Sequence, residues 1–423
     1  MSDRAKKYLQ ILVLALSGGS IYLIPYIRYV FYDFQIEAMA ISNQEIGLLS
    51  SAYAIGCMLT YIPGGVISDK FSTKRNIFIS LISTTLVTLL FAFNMKNYTL
   101  SLICFFLFAL TTSFLFWTSL MKTIRLVSGD DEQGRMYGVY YAGNGITGGV
   151  INSIALWATK FGQTTDDKFF IAVICYAIST GIAALLVWLF LEDRSGQKDI
   201  SNPDEQFQFR HVGQLLKSPV VWIFSLVIFS GYAVYSSTSY FTPYLTDVIG
   251  VSAEESGFMT ILRTYFMMLL APLGGFLADK VFKSTSRWFM VAFALLGILM
   301  VSVLMIPSSV NPSIVSVYTL LPGAVGLALY GVLFSITSEA KIPAYMSGTA
   351  IGIASIIGYT PDFFMATMFG SWLDNMGSDG YTMIFMFLTA VCAVGLLGAL
   401  YIRRRMLKLE KEEEAVKIAE NNA

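Results

Sequence analysis

Histidine is almost missing from this 423-residue chain, which has only His211. Its four cysteines, Cys57, Cys104, Cys175 and Cys392, stand far apart with no CxxC spacing. There is no Gly-Lys-Ser/Thr phosphate loop and no Ser/His/Asp set. These shortages argue against a metal centre, a disulfide framework, a hydrolytic site and ATP-driven work by this chain alone. No enzyme activity, cofactor, metal or nucleic-acid partner is expected. Charge is scarce too, at 13% of residues, whereas a soluble domain carries roughly a quarter. With 55% hydrophobic residues and a mean hydropathy of +0.64, a soluble fold would expose far too much apolar surface. The net charge of zero says nothing about partners, because the information lies in how the charges are distributed.

What the chain has in abundance is apolar runs of roughly 20 residues, the length that crosses a bilayer. Twelve are predicted, at 8–33, 45–68, 76–95, 99–121, 136–159, 169–191, 219–246, 255–278, 287–307, 313–338, 345–373 and 380–402. Uninterrupted runs of this length are helices; barrel strands would be half as long and alternating. The expected fold class is therefore an all-α membrane protein in the lipid bilayer. The first run follows a short basic segment, lacks a small-residue cleavage site, and reads as retained. Lys6, Lys7, Lys74, Arg75, Arg135, Lys217, Lys280, Arg287, Lys341 and Arg403 to Arg405 fall on one side of the twelve runs. The other side offers Lys96, Lys160 and Lys168 among acidic residues such as Asp166, Asp247, Glu254 and Asp374. By the positive-inside rule both termini are cytoplasmic. The polar stretch 192–218 reads as a linker between bundles 1–191 and 219–402, with a charged tail at 403–423.

The two halves repeat each other. Gly65, Asp69 and Lys70 return as Gly275, Asp279 and Lys280, and the same offset carries Met136 and Gly138 onto Met346 and Gly348. A repeat half the chain long, in so apolar a chain, points to two homologous helical bundles. The loop from Gly65 through Asp69, Lys70 and Ser72 to Lys74 and Arg75 combines small residues, a carboxylate at a helix end and a cationic turn. It resembles the signature loop of the major facilitator superfamily, departing from it at Ser72, where that family usually has glycine. The resemblance implies twelve transmembrane helices in two six-helix bundles related by a pseudo-twofold axis. It also implies a midplane substrate site that opens alternately to either side. Gly65, Asp69, Lys70, Arg75, Arg135, Gly275, Asp279, Lys280 and Glu339 are the gating candidates.

Charges inside the spans are costly and usually functional. Arg263 lies nine residues into the eighth span, roughly 13 Å deep at 1.5 Å per residue. It reads as a cation for the cargo, with a structural ion pair as the alternative. Arg28, in the outer part of the first span near Tyr22 and Tyr26, reads either as a second cation or as a snorkelling interface residue. Lys122, just past Trp117, is a third candidate or an interface anchor. Asp362 shares a helical face with Tyr359 and is the proton-coupling candidate, or else the partner of an arginine. Asn144 on the fifth span and Tyr232, Tyr235 and Ser236 on the seventh form polar faces that suit a polar organic solute, or simply glue helices. Within the superfamily the pattern feels closest to bacterial organic-anion and nitrate/nitrite-type porters. The expected function is secondary transport of a small organic anion (sugar acid, carboxylate, sulfonate or phosphate ester) across the bacterial inner membrane. Proton symport is expected, in a monomer. The alternatives are a transporter or exporter of neutral or cationic drugs or nucleosides, an anion exchanger, or a sensor derived from a transporter.

Overall fold

The computed structural model describes residues 3–128, 133–193, 209–307, 310–342 and 344–421. Among them the chain makes twelve helical passes. Spans 1 to 6 cover 3–39, Asn43–Lys70, Thr73–Asn94, 98–128, Gln133–Ala158 and Thr165–Phe190. Spans 7 to 12 cover Pro219–Asp247, 253–281, Thr285–Val303, 312–339, 344–376 and Asp379–Asn421. Eight of these helices are long and apolar enough to cross a membrane on their own, and the bent pair within 253–281 makes nine. The other three, spans 1, 2 and 5, carry the glycines, tyrosines and polar residues that dilute their hydropathy.

The sequence starts these helices by local chemistry. Thr164 and Asp167 form a reciprocal capping box at span 6, and Asn97 and Ser252 cap spans 4 and 8. Ser72, the departure from the signature pattern, accepts a hydrogen bond from Arg75 N at the start of span 3 and donates one to Asp193. Ser284 plays the same capping role for span 9. The interruptions are equally local. Span 1 loses regular helix after Ile21 around Pro25, and span 11 breaks at 359–360 and restarts on Pro361. Span 4 widens into a π-helix over Leu110–Trp117, and span 8 bends by 43°.

Each half folds largely around its own apolar interior, and one first-half cluster also takes in Ile261 of span 8. The first half is built on two clusters, one including Phe31, Phe105 and Tyr176 and the other Phe116, Leu120 and Val187. The second half has a single large cluster through Phe224, Phe241, Phe289 and Phe385. Outward-facing Phe93, Trp157, Leu185 and Ile298 are each more than half exposed, as lipid-facing side chains must be.

Spans 1 and 12 run in opposite senses between the chain termini and the ends of spans 2 and 11, which defines a termini-bearing end and a far end. The hydrogen bonds that join the bundles among the described residues cluster toward the far end. Span 2 lies along the second segment of span 11, where Gly47 and Gly370 let the backbones touch. A Cβ on Gly47 would sit 2.5 Å from Ala366 O, and one on Gly370 would overlap the Asn43 carbonyl. Asp374 accepts from Asn43 N (2.9 Å), Asn43 Nδ2 (2.8 Å) and Gln44 N (2.7 Å) at the start of span 2. Ser51 donates to Phe363 O at 2.6 Å, and Lys168 reaches Glu254 at 3.4 Å.

Candidate functional site

A narrow pocket lies on the seam between the bundles. Its walls are Pro25, Tyr26, Arg28 and Tyr29 of span 1, Ser50 and Tyr53 of span 2, Ser236, Ser237 and Tyr240 of span 7, and Pro361, Asp362, Met365 and Ala366 of span 11. The two charged residues come from the two interrupted helices. In span 1, Pro25 ends the regular helix, and a single 3-10 turn, Ile27–Tyr29, carries Arg28. In span 11, Pro361 begins a new helix and puts Asp362 in its first turn, where the helix dipole favours a negative charge. Irregular backbone at membrane depth is tolerated where it lines a cavity, and both breaks do so.

Arg28 is 9% exposed. Its guanidinium carbon lies 5.1 Å from the centre of the Tyr29 ring and 5.4 Å from that of Tyr240. Its Nε has no hydrogen-bond partner, and among the described residues no carboxylate lies within ion-pair distance of it. Asp362 accepts a 2.5 Å hydrogen bond from the Tyr232 hydroxyl. The pocket therefore holds one cation and one acid on opposite bundles, close enough to feel each other but not paired.

Tyrosines extend these walls. Tyr26 packs on Tyr29 at 5.2 Å and on Tyr53 at 5.5 Å, between ring centres. Tyr22 meets Trp117 edge-on at 6.4 Å within the first bundle. On the second bundle Tyr235 stacks on Tyr330 at 4.2 Å and 6°, and Tyr232 meets Tyr359 edge-on at 4.5 Å. A second hollow, between spans 9 and 12, has an almost wholly apolar lining from Phe293 to Leu396 and offers no charge.

Of the residues singled out from sequence, the pocket brings together Tyr26, Arg28, Ser236 and Asp362, with Tyr232 one hydrogen bond away. Tyr22, Trp117, Lys122, Asn144 and Tyr235 do not line it. Asn144 donates to the Tyr140 hydroxyl at 3.1 Å, and Gly18 of span 1 approaches both groups. Lys122 is half-buried at the termini-bearing end of span 4.

Arg263 stands behind the wall. It is 1% exposed, and no carboxylate among the described residues pairs with it. Its nitrogens donate to the hydroxyls of Thr319 (2.9 Å), Thr260 (2.8 Å) and Thr242 (3.2 Å), beneath the Phe241 ring. Gly323 makes room, since a Cβ there would overlap the arginine's own side chain.

Among the gating candidates, the side chains of Gly65, Asp69 and Lys70 lie outside the described set. Arg75, Asp279 and Lys280 are exposed, Gly275 is half-buried, and Arg135 lies over the Tyr8 ring at 5.5 Å. Glu339 caps span 9, accepting from Thr285 N at 2.6 Å and Ser286 N at 3.1 Å. Tyr29 and Tyr53 were missed by the sequence reading as pocket residues. Their only signal was tyrosine recurring on spans 1 and 2.

Two bundles, a buried polar pocket on their seam and broken helices where they border it are the architecture of a membrane carrier. The profile of the Major Facilitator Superfamily matches residues 9–365, and the chain belongs to that superfamily. The chain is 30% identical over 405 residues to the inner membrane protein YqcE of Escherichia coli K12, with 93% of each covered. It is 21% identical over 387 residues to the glycerol-3-phosphate transporter of Bacillus subtilis 168, covering 86% of this chain and 84% of that protein. The solved structure of a D-xylose-proton symporter matches with a TM-score of 0.71 at 15% identity, over 95% of this chain and 97% of that one. The protein is thus a multi-pass membrane transporter and not an enzyme.

Proposed function

We propose that the protein carries a small organic anion across a bacterial inner membrane by proton symport, with Arg28 as the anion anchor and Asp362 as the proton site. The observation that carries this reading is Arg28, a cation in the pocket whose Nε is unsatisfied and which no carboxylate among the described residues meets at ion-pair distance. A buried cation of that kind is stabilised when a cargo supplies the missing charge and acceptor. Asp362 is the only acid among the pocket-lining residues; with the cargo bound to Arg28, a proton removes the charge the acid would otherwise leave unbalanced. The tyrosines offer ring faces and hydroxyls to a hydroxylated carbon skeleton. A relative named for a phosphate ester, glycerol-3-phosphate, fits the same charge sign.

In this reading the termini are cytoplasmic and the far end faces outward, as the lysine and arginine distribution asks. Bundles 1–191 and 219–402 rock about the pocket, tied by 192–218, and the conformation described is closed outward.

The test is uptake into proteoliposomes of a panel of sugar acids, carboxylates, sulfonates and phosphate esters, with and without an inward proton gradient. Arg28→Ala should cost about 2 kcal/mol or more of cargo affinity, at least ~30-fold. Asp362→Asn should abolish the response to the gradient. Full anion uptake by Arg28→Ala removes the anion claim, and competition by lipophilic cations in its place identifies a drug carrier.

A further inference from the structure

We infer that Arg263 is a positioning residue: acting through Thr242, it fastens the Arg28-bearing segment of span 1 to the second bundle and so sets how often the far end opens. The inference rests on the two-bundle carrier fold and is independent of the sign of the cargo.

The argument is a count of protons. A guanidinium only donates, so the three threonine oxygens that meet Arg263 must accept from it, and each hydroxyl is left one proton to place elsewhere. Thr260 has two outlets for its proton, both within the second bundle: Ser256 O at 3.0 Å in its own helix and Thr242 at 2.6 Å. Thr319 gives its proton to Ser316 O at 2.7 Å, again within its own helix. Thr242 has a different outlet: its hydroxyl reaches Tyr29 O at 2.9 Å, on the opposite bundle. Thr260 is also 2.6 Å from Thr242, a contact that one of the two hydroxyls must fill; Tyr29 O can only accept, so the bond across the seam takes the proton of Thr242, and the shared contact then takes that of Thr260. One of the three hydroxyls thus exports the hydrogen-bonding direction imposed by Arg263, and it exports it to the residue next to Arg28.

The surroundings support a fastening point. Gly257 of span 8 lies so close to span 1 that a Cβ on it would sit 2.9 Å from Val30 O. Thr246, one turn beyond Thr242, donates to Asp33 at 3.2 Å. The irregular stretch of span 1, whose carbonyls are not all used by helix, is therefore held from 29 to 33 by spans 7 and 8. Arg263 does not itself reach the pocket, being absent from its lining and buried beneath Phe241, and of its three threonine partners Thr242 is the one that bonds to span 1. A guanidinium left without an acid inside a bundle is costly, and fixing the direction of a bond that must break and remake accounts for it.

The experiment compares Thr242→Val with Thr319→Val in the full chain in nanodiscs. Both deprive Arg263 of one acceptor, but only the first removes a bond across the seam. Spin labels at Lys160→Cys and Met376→Cys, exposed far-end positions on the two bundles, report the distance distribution once the four native cysteines are replaced. Thr242→Val should raise the ratio of far-end-open to closed molecules by roughly two- to twelve-fold, the range of one net hydrogen bond. Thr319→Val and the hydroxyl-retaining Thr242→Ser should leave the ratio within twofold of the parent. If Thr242→Val does not purify as a monodisperse protein, Thr242→Ala carries the same readout. Equal shifts from the Thr242 and Thr319 variants would reduce Arg263 to a structural anchor and overturn the inference, as would no shift from either. A loss of anion uptake with an unchanged distance distribution would also overturn it, while leaving the Arg28 reading intact.

Discussion

Replacing Asp374 by alanine should loosen the far end of the carrier. The carboxylate sits at the end of span 11 and accepts three hydrogen bonds at the start of span 2, two from backbone amides that the first turn of a helix leaves unsatisfied. Because the partners belong to different bundles, all three bonds break whenever the far end opens. Asp374 is exposed, so water recovers much of what is lost, and the relevant scale is that of a helix cap, about 1 kcal/mol. That corresponds to a roughly fivefold rise in the open-to-closed ratio. Ser51 is a suitable reporter: it is 6% exposed and pinned against Phe363 and Thr367 of span 11, so a cysteine in its place meets a polar thiol reagent only in the open state. In purified protein the Ser51→Cys/Asp374→Ala variant should be modified about five times faster than Ser51→Cys alone, since slow labelling follows the open population. An unchanged rate would mean that the backbone contact at Gly47 and Gly370 holds the seam without help from the cap, and a slower rate would refute the assigned role.

Gly370→Leu should prevent the closure described here, because a side chain at 370 collides with the backbone of Asn43 rather than with a side chain that can turn away. The expected result is a large loss of transport rate with the same reporter cysteine labelled at least tenfold faster, and near-parental transport would refute it. Glu339→Gln should destabilise the second bundle by about 1 kcal/mol, through weakened capping of Thr285 and Ser286, and lower its melting temperature without moving the far-end reporter.

The twelve passes were legible because hydrocarbon thickness imposes a length and a polarity that composition reveals directly. The positions of the breaks could be suspected from Pro25 and Pro361, but their consequence could not. Arg28 and Asp362 are distant in sequence, and only packing shows that both flank one pocket. Arg263 illustrates the opposite difficulty. Its depth was readable, while the direction of its side chain depends on Gly323 and three threonines on three spans, residue types so common in apolar helices that none stands out. Asp374 registered only as one acid in an acidic loop, since a cap offered to a helix on the other half of the repeat leaves no local pattern. The cysteines, by contrast, are free and mostly buried, in keeping with their scatter.

Arg28 and Tyr29 share a peptide unit in the short 3-10 turn of span 1. A load that draws the guanidinium toward the pocket centre pulls on that unit, and the carbonyl of the next one, Tyr29 O, is the one Thr242 grips. In the proposed mechanism occupancy and closure are thus joined by a lever one residue long. No signal has to cross the protein for the doorway to register that a passenger is aboard.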